Sequence, residues 1–125
     1  MPTLIYVLED DQDINFIVEY ILIEEGYEVK TFDTAKKFEA QMLLNLPDLI
    51  LLDVMLPDGN GIEICHRLKT EPHTAKLPIV IMSAHAAETS ILEEACADNF
   101  VSKPFDLEYL LKIVKKTLNS PLSSI

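Results

Sequence analysis

Short apolar runs alternate with longer amphipathic stretches along the whole chain. The run Leu49-Ile50-Leu51-Leu52 has no polar face, so it predicts a strand buried on both sides, as in a parallel sheet covered by helices. Residues 27–32 instead alternate polar and apolar side chains, which predicts an edge strand with one less buried face. The predicted strands are residues 4–8, 27–32, 49–52, 77–83 and 99–102.

Between these strands, apolar residues recur at the spacing of amphipathic helices. The first predicted helix begins near Asp13 and stops at Gly26, because glycine is the usual residue for a left-handed helix cap. The second covers about residues 34–45, and we expect Phe38, Met42 and the neighbouring leucines to face the sheet. The others are a third helix that ends at Glu71-Pro72, a fourth over about residues 87–97, and a fifth with apolar positions at 107, 110, 111, 114 and 118.

Five strands that alternate with five helices predict one fold class. Right-handed crossover connections leave few topologies other than a parallel sheet with helices on both faces. The fold is therefore expected to be α/β and doubly wound. The alternation does not fix the strand order, and we expect the flavodoxin-like (βα)5 unit with order 2-1-3-4-5, one of the two common doubly wound orders. We expect a single domain over residues 1–125, with its core at about residues 3–119 and a frayed polar tail at residues 120–125.

Composition narrows the function classes. The chain has 125 residues and a formal net charge of −11 with only 10 basic residues, which argues against direct nucleic-acid binding. No apolar run is long enough to span a membrane, and the N-terminus lacks the pattern of a secretory signal. Cys65 and Cys96 lie far apart without a CxxC motif, so we expect buried thiols in a reducing cytoplasm. Asp98 and the remaining acids are expected to form a solvated face.

Polar residues stand at the carboxyl ends of four of the five predicted strands: Glu9-Asp10, Asp53, Ser83 and Lys103. In a parallel sheet these ends meet at one edge, where ligands of open α/β sheets bind. Crowded carboxylates repel one another unless they share a cation, and oxygen ligands with room for water suit Mg²⁺, with Mn²⁺ as a substitute. A carboxylate can also attack phosphorus and form an aspartyl phosphate, which Lys103 and Ser83 would help to neutralise.

These residues resemble a known family. Glu9-Asp10, Asp53 followed at residues 55–61 by Met-Leu-Pro-Asp-Gly-Asn-Gly, Ser83-Ala84 and Lys103-Pro104-Phe105 are the motifs that carry the resemblance. Together they resemble the receiver domain of bacterial two-component response regulators, in the order and spacing of that family. The resemblance covers residues 3–119, which is nearly the whole chain.

The resemblance implies a role for each of these residues. Asp53 is expected to be the phosphoacceptor and Lys103 the cation that pairs with the phosphoryl group. Ser83 is expected to supply the switch hydroxyl, and Phe100 stands where the family has an aromatic switch residue whose ring starts at the surface. The expected metal ligands are Asp10 directly, Glu9 mainly through water, Asp53, and the main-chain carbonyl of Met55. The Lys103-Pro104 peptide bond is expected to be cis.

The same resemblance implies a function. The chain would accept a phosphoryl group from a sensor histidine kinase or a histidine phosphotransfer protein, and would lose it slowly to water. Phosphorylation would then switch the face made by the fourth helix, the fifth strand and the fifth helix, where a downstream protein or a second copy docks. No nucleic acid or membrane partner is expected, and the chain is expected to be a signalling module instead of an enzyme.

The main alternative is an enzyme, a phosphatase of the haloacid dehalogenase type that uses Asp53 as nucleophile. Such a hydrolase places a second Asp two residues later as general acid, and this chain has Met55 there. It also lacks a cap domain that could enclose a substrate. A structural pseudo-receiver is a third class, and we would expect it to have lost some of the acidic, hydroxyl or lysine positions; all of them are present.

Overall fold

The computed structural model describes residues 2–84 and 97–119, and its strands follow the apolar runs. The sheet consists of β1 (Leu4–Leu8), β2 (Glu28–Phe32), β3 (Leu49–Asp53), β6 (Ile79–Ser83) and β7 (Asn99–Ser102), and a separate hairpin consists of β4 (Met55–Leu56) and β5 (Gly59–Asn60). All neighbouring strands of the sheet pair in parallel, in the order β2-β1-β3-β6-β7. This is the predicted order 2-1-3-4-5 once the hairpin, which was not predicted, is set aside.

The described helices are α1 (Gln12–Glu24), α2 (Ala35–Leu44), α3 (Gly61–Thr70) and a last helix (Leu107–Leu118). Each begins after a polar residue whose side chain accepts hydrogen bonds from amides of the first turn, namely Asp11, Thr34, Asn60 and Asp106. Gly26 follows α1 with φ at +95°, which confirms its predicted role as the stop signal. The predicted fourth helix, residues 87–97, lies outside the described residues apart from Ala97.

Alternate side chains of β1 enter two different hydrophobic cores, because successive residues of a strand point to opposite faces of the sheet. Ile5 and Val7 pack with α1 and the last helix, whereas Tyr6 and Leu8 pack with α2 and α3. Every residue of β3 and β6 is buried, and β2 is the more exposed edge strand. The predicted parallel sheet with helices on both faces is therefore confirmed.

The leucines near the end of α2 do not face the sheet as predicted. Leu43 is 89% exposed and Leu44 is 81% exposed, whereas Phe38 is fully buried. A helix turns by 100° per residue, so these leucines lie about 140° and 240° around α2 from Phe38, away from the core. The expectation failed because a cluster of apolar residues was read as a stripe without regard to its helical phase.

Asp98 is exposed, as predicted, and it also makes specific contacts. Its carboxylate pairs with Lys69 at 2.6 Å and accepts the main-chain N–H of Ile79 at 2.8 Å. The Lys69 ammonium also donates to the carbonyl of Leu77 at 2.7 Å. These contacts tie the end of α3 to the chain just before β6 and β7, so Asp98 connects three elements.

The remaining expectations concern the cysteines, membrane-spanning helices and the C-terminal tail. Cys65 is fully buried between α3 and the sheet, as predicted, and Cys96 lies outside the described residues. Within residues 2–84 and 97–119, no helix has the length and apolar character needed to cross a bilayer. The predicted polar tail, residues 120–125, also falls outside the described residues.

Candidate functional site

Three carboxylates converge at the carboxyl edge of the sheet. Asp53 is the last residue of β3 and is 5% exposed, while Glu9 directly follows β1 and is 1% exposed. Asp10 follows Glu9 and is exposed. One carboxylate oxygen from each of the three lies within 4.8 Å of the others. The structure thus brings together the three acidic side chains that the sequence predicts for one pocket.

Glu9 is the most deeply buried of the three acids. Its carboxylate accepts the N–H of Asp11 at 3.1 Å, and its main-chain carbonyl accepts the side-chain amide of Asn15 at 2.9 Å. Burial raises the pKa of Glu9 to about 7, against the opposing effect of a hydrogen bond from Lys103. A carboxylate that is so costly to ionise gains from any additional cation placed beside it.

Lys103 supplies one such cation. Its main-chain N–H donates to the carbonyl of Ser83 at 2.9 Å, and the peptide bond to Pro104 is cis. Its ammonium pairs with the Glu9 carboxylate and lies 3.3 Å from Oδ2 of Asp53. Burial works to lower the pKa of Lys103, but the hydrogen bond and charge of Glu9 and the charge of Asp53 outweigh it and raise this pKa. The ammonium is held between two acids.

Ser83 and Phe100 lie on the same face of the sheet. Phe100 pairs with Ile81 across β6 and β7, and Ser83 follows Ile81 by two residues, so all three side chains point the same way. The Phe100 ring is only 6% exposed and belongs to the core that contains Ile81. The expectation that this ring starts at the surface is therefore wrong for this structure, and apolar packing explains its position.

The β4–β5 hairpin follows Asp53 in the chain and lies next to it. Met55 pairs with Asn60, and the N–H of Gly61 donates to the carbonyl of Val54 at 2.8 Å. Met55 is 74% exposed, so its side chain does not pack into the hydrophobic core. A Cβ atom at Gly61 would lie 2.1 Å from the carbonyl oxygen of Asp53, which requires glycine there.

The comparison with known families decides between the readings of this pocket. The sequence matches the response regulator receiver domain family over residues 5–115. The chain belongs to this family. The receiver domain is a signalling module of two-component systems, and the comparisons give no support to the phosphatase alternative.

Named relatives agree with this receiver assignment. The phosphate regulon transcriptional regulatory protein PhoB of Rhizobium meliloti (strain 1021) is 38% identical over 116 residues, which cover 91% of this chain and 51% of that protein. The DNA-binding dual master transcriptional regulator RpaA of Synechocystis sp. is 32% identical over 120 residues, which cover 94% of this chain and 49% of that protein. The chain spans about half the length of these curated relatives.

Solved receiver structures agree with the fold. A CheY-like response regulator receiver domain protein from Methanospirillum hungatei JF-1 superposes with a TM-score of 0.89 at 25% identity, covering 100% of both chains. The receiver domain of NtrX from Brucella abortus gives a TM-score of 0.83 at 28% identity, covering 93% of this chain and 98% of that chain. The topology of this chain is therefore that of a receiver domain.

The donor atoms of this receiver domain fit a small, hard cation. Carboxylate oxygens from Glu9, Asp10 and Asp53 are the ligand type that Mg²⁺ prefers, and exposed Asp10 leaves one side open to water. Mg²⁺ keeps several waters and takes only one or two carboxylates with substrate phosphates, so buried Glu9, already paired with Lys103, suits a more distant role than Asp10. When bound, the ion would supply charge neutralisation for a phosphoryl group.

One residue near the site was missed by sequence reasoning. Asp58 lies in the Pro57-Asp58-Gly59 turn, which was read only as a signal for chain reversal. In the structure its two carboxylate oxygens accept the N–H groups of Ala35 and Lys36 at 2.8 Å and 3.0 Å. No sequence signal could have revealed this contact, because its partners lie 23 and 22 residues away.

Proposed function

We propose that this receiver domain accepts a phosphoryl group on Asp53 from phosphohistidine. The observation that carries the proposal is the placement of Asp53 at the end of β3, between the carboxylates of Glu9 and Asp10 and the ammonium of Lys103. Asp53 is 5% exposed, so a small part of this residue stays accessible to a donor. The family membership supports the same function.

The proposed step is an in-line displacement at phosphorus. A carboxylate oxygen of Asp53 forms a bond to phosphorus while the P–N bond to the imidazole breaks, and the imidazole leaves with the electron pair and takes up a proton. Lys103 pairs with the transferred phosphoryl oxygens. Asp10, Glu9, Asp53 and the Met55 carbonyl would hold a Mg²⁺ ion, which would neutralise phosphoryl charge. Water later removes the phosphoryl group slowly. In this proposal the domain is a signalling module and not an enzyme that hydrolyses phosphate esters.

A small-molecule phosphodonor tests this proposal without knowledge of the partner. Acetyl phosphate with Mg²⁺ should add the mass of one phosphoryl group to the intact protein, and the same incubation in EDTA should add none. Labelling that is equally fast in EDTA would contradict a metal-assisted step. Complete absence of labelling with Mg²⁺, acetyl phosphate and phosphoramidate would contradict the proposed function itself.

The partners belong to the same proposal. The phosphodonor is a sensor histidine kinase or a histidine phosphotransfer protein in the cytoplasm. The output is docking of a downstream protein or a second copy on the face of the predicted fourth helix, β7 and the last helix. The side chain of Asn99 in β7 donates to Thr117 of the last helix at 2.8 Å, which supports a connection between these two described elements.

Ser83 is expected to transmit the phosphorylation of Asp53 to Phe100. Ser83→Ala should still accept phosphate at Asp53, more slowly, because a charge-assisted hydrogen bond from its hydroxyl is lost. Since Phe100 is already buried, the response should appear as a local rearrangement at β7 and the last helix instead of a large change in burial. Amide chemical shifts with and without a beryllofluoride mimic measure this response, and equal shifts at Phe100 in the parent and Ser83→Ala would reject the coupling.

Helix α1 presents a stripe of exposed apolar side chains next to the pocket. Phe16, Tyr20 and Ile23 are 68%, 56% and 53% exposed and lie at positions i, i+4 and i+7 of one helix face. The helix begins two residues after Asp10 and contains no Lys or Arg. An apolar stripe among acidic neighbours suits a protein surface with apolar residues and a basic rim. This stripe is the proposed docking surface for the phosphodonor protein.

Phe16→Ala with Tyr20→Ala should therefore slow phosphotransfer from a phosphohistidine protein about 10-fold, since truncating large interface side chains often costs more than 1 kcal/mol. Labelling by acetyl phosphate should not change, because the small donor needs no docking surface. Leu43→Ala with Leu44→Ala is the matched control, since these side chains are also exposed but lie on α2. Equal slowing by both double variants would show that the α1 stripe is not the docking surface.

A further inference from the structure

The β4–β5 hairpin that follows the phosphoacceptor is fixed at two ends. At its base, Gly61 donates to the carbonyl of Val54 and packs against the backbone of Asp53. At its tip, Asp58 accepts the main-chain N–H groups of Ala35 and Lys36 in α2. The hairpin is therefore held at its base by the end of β3 and at its tip by the N-terminus of α2.

The N-terminus of α2 is satisfied mainly by this long-range contact. The first amides of a helix lack partners within the helix, and a residue at the N-cap usually supplies one of them. The Thr34 hydroxyl accepts the N–H of Lys37 at 3.2 Å, whereas the Asp58 carboxylate accepts those of Ala35 and Lys36. The two side chains together account for the first three amides of α2.

The charge of Asp58 suits this position. A carboxylate is stabilised at a helix N-terminus by the partial positive charge of the free amides and by charge-assisted hydrogen bonds. The hydrogen bonds from Ala35 and Lys36 hold the pKa of Asp58 below its usual value. Asp58 therefore stays ionised, and keeps both hydrogen bonds, throughout the neutral range.

We propose that Asp58 is a positioning residue for the metal site, because it fixes the hairpin that carries the Met55 carbonyl. This inference rests on the proposed function, in which that carbonyl is a metal ligand. Met55 lies two residues after Asp53 and pairs with Asn60 in the hairpin, which is separate from the five-stranded sheet, so the position of its carbonyl depends on the hairpin. Without the Asp58 contact, the hairpin keeps its base but loses its anchor to α2, and the carbonyl loses its fixed position.

Asp58→Ala should bind Mg²⁺ about 10-fold more weakly, which is the usual cost of losing a residue that orients a metal ligand. The measurement is a Mg²⁺ titration followed by the amide shifts of Asp10 and Asp53. Amide hydrogen exchange in EDTA gives a readout that involves no metal: Ala35, Lys36 and Gly61 should exchange faster in the variant. Asp58→Asn keeps one acceptor oxygen, so it should lose less Mg²⁺ affinity than Asp58→Ala.

Asp33→Asn is the matched control. This substitution removes the same charge near the same end of α2. The Asp33 carboxylate, however, pairs with Lys37 at 3.0 Å and does not connect the hairpin to α2. The Mg²⁺ affinity of Asp33→Asn should remain within about twofold of the parent value, as expected for an exposed charge screened by solvent and salt.

Two results would overturn the inference. One is an unchanged Mg²⁺ affinity in Asp58→Ala whose Ala35 and Lys36 amides exchange faster, which would make Asp58 only a helix cap. The other is an equal loss of affinity in Asp33→Asn, which would reduce the effect to net charge. If Asp58→Ala does not fold, the same comparison is made with Asp58→Asn. A parent protein that binds Mg²⁺ but is labelled by neither acetyl phosphate nor phosphoramidate would refute the phosphoacceptor role of Asp53, whereas the Mg²⁺ affinities of the variants would still decide the role of Asp58.

Discussion

Asp53→Asn is expected to abolish labelling by acetyl phosphate and by phosphohistidine proteins, because an amide cannot act as the nucleophile toward phosphorus. The variant incubated with phosphodonor should have the same mass as the variant incubated without it. Asp53 is the acid of this cluster that ends β3, and its Oδ2 lies 3.3 Å from the Lys103 ammonium. Intact-protein mass before and after incubation measures the result.

Two controls make this result specific to Asp53. Asp33→Asn removes a carboxylate outside the acidic pocket and should be labelled at the parent rate. The amide spectrum of Asp53→Asn should match the parent outside the pocket, since the amide replaces a carboxylate of the same shape. Labelling of Asp53→Asn at another residue, such as Glu9 or Asp10, would contradict the assignment of the phosphoacceptor.

Asp10→Asn is expected to have the second largest effect, a loss of Mg²⁺-dependent phosphorylation. A metal ion contributes several kcal/mol to phosphoryl transfer, which corresponds to roughly 100-fold or more in rate. Asp10 is the exposed member of the acidic cluster, so it is placed to bind a hydrated ion directly. Rates with acetyl phosphate over a range of Mg²⁺ concentrations should show that excess metal does not restore the parent rate.

The same substitution should act in the opposite direction on stability. In EDTA, Asp10→Asn should melt at the same temperature as the parent or slightly higher, because one like charge leaves a crowded cluster. The gain should shrink at high salt, since Asp10 is exposed and its interactions are screened. A clearly lower melting temperature in EDTA would show that Asp10 does not share a repulsive pocket with Glu9 and Asp53. Asp13→Asn, an acid in the first turn of α1, is the charge-matched control.

The sequence was most informative where burial is complete. Strands β3 and β6 have no exposed face, so their apolar runs identified them directly, and the strand ends located Asp53 and Ser83. Amphipathic elements were read less well. Leu43 and Leu44 were assigned to the core because they neighbour Met42, whereas helical phase places them in solvent. Local patterns give the type of an element more reliably than the direction of each side chain.

The candidate site divides in the same way. Residues that the chain presents at strand ends could be predicted together, because a parallel sheet gathers these ends at one edge. Contacts that close between distant segments could not be predicted. Asp98 with Lys69 and Asp58 with Ala35 join segments about 20 to 30 residues apart, and their side chains look like ordinary surface charges in the sequence. The burial of Phe100 likewise depends on packing between elements.

Gly61 has a consequence for how mutational data on this domain are interpreted. Any side chain at this position meets the carbonyl oxygen of the phosphoacceptor at a distance that no pair of atoms tolerates, so the backbone of β3 or of α3 must shift. A saturation scan scored by signalling output would rank Gly61 beside Asp53 and Lys103, although glycine contributes no functional group. Sensitivity to substitution at Gly61 reflects the short distance between the backbones of β3 and α3. It is therefore no evidence that Gly61 takes part in phosphoryl transfer, which the proposed function assigns to Asp53.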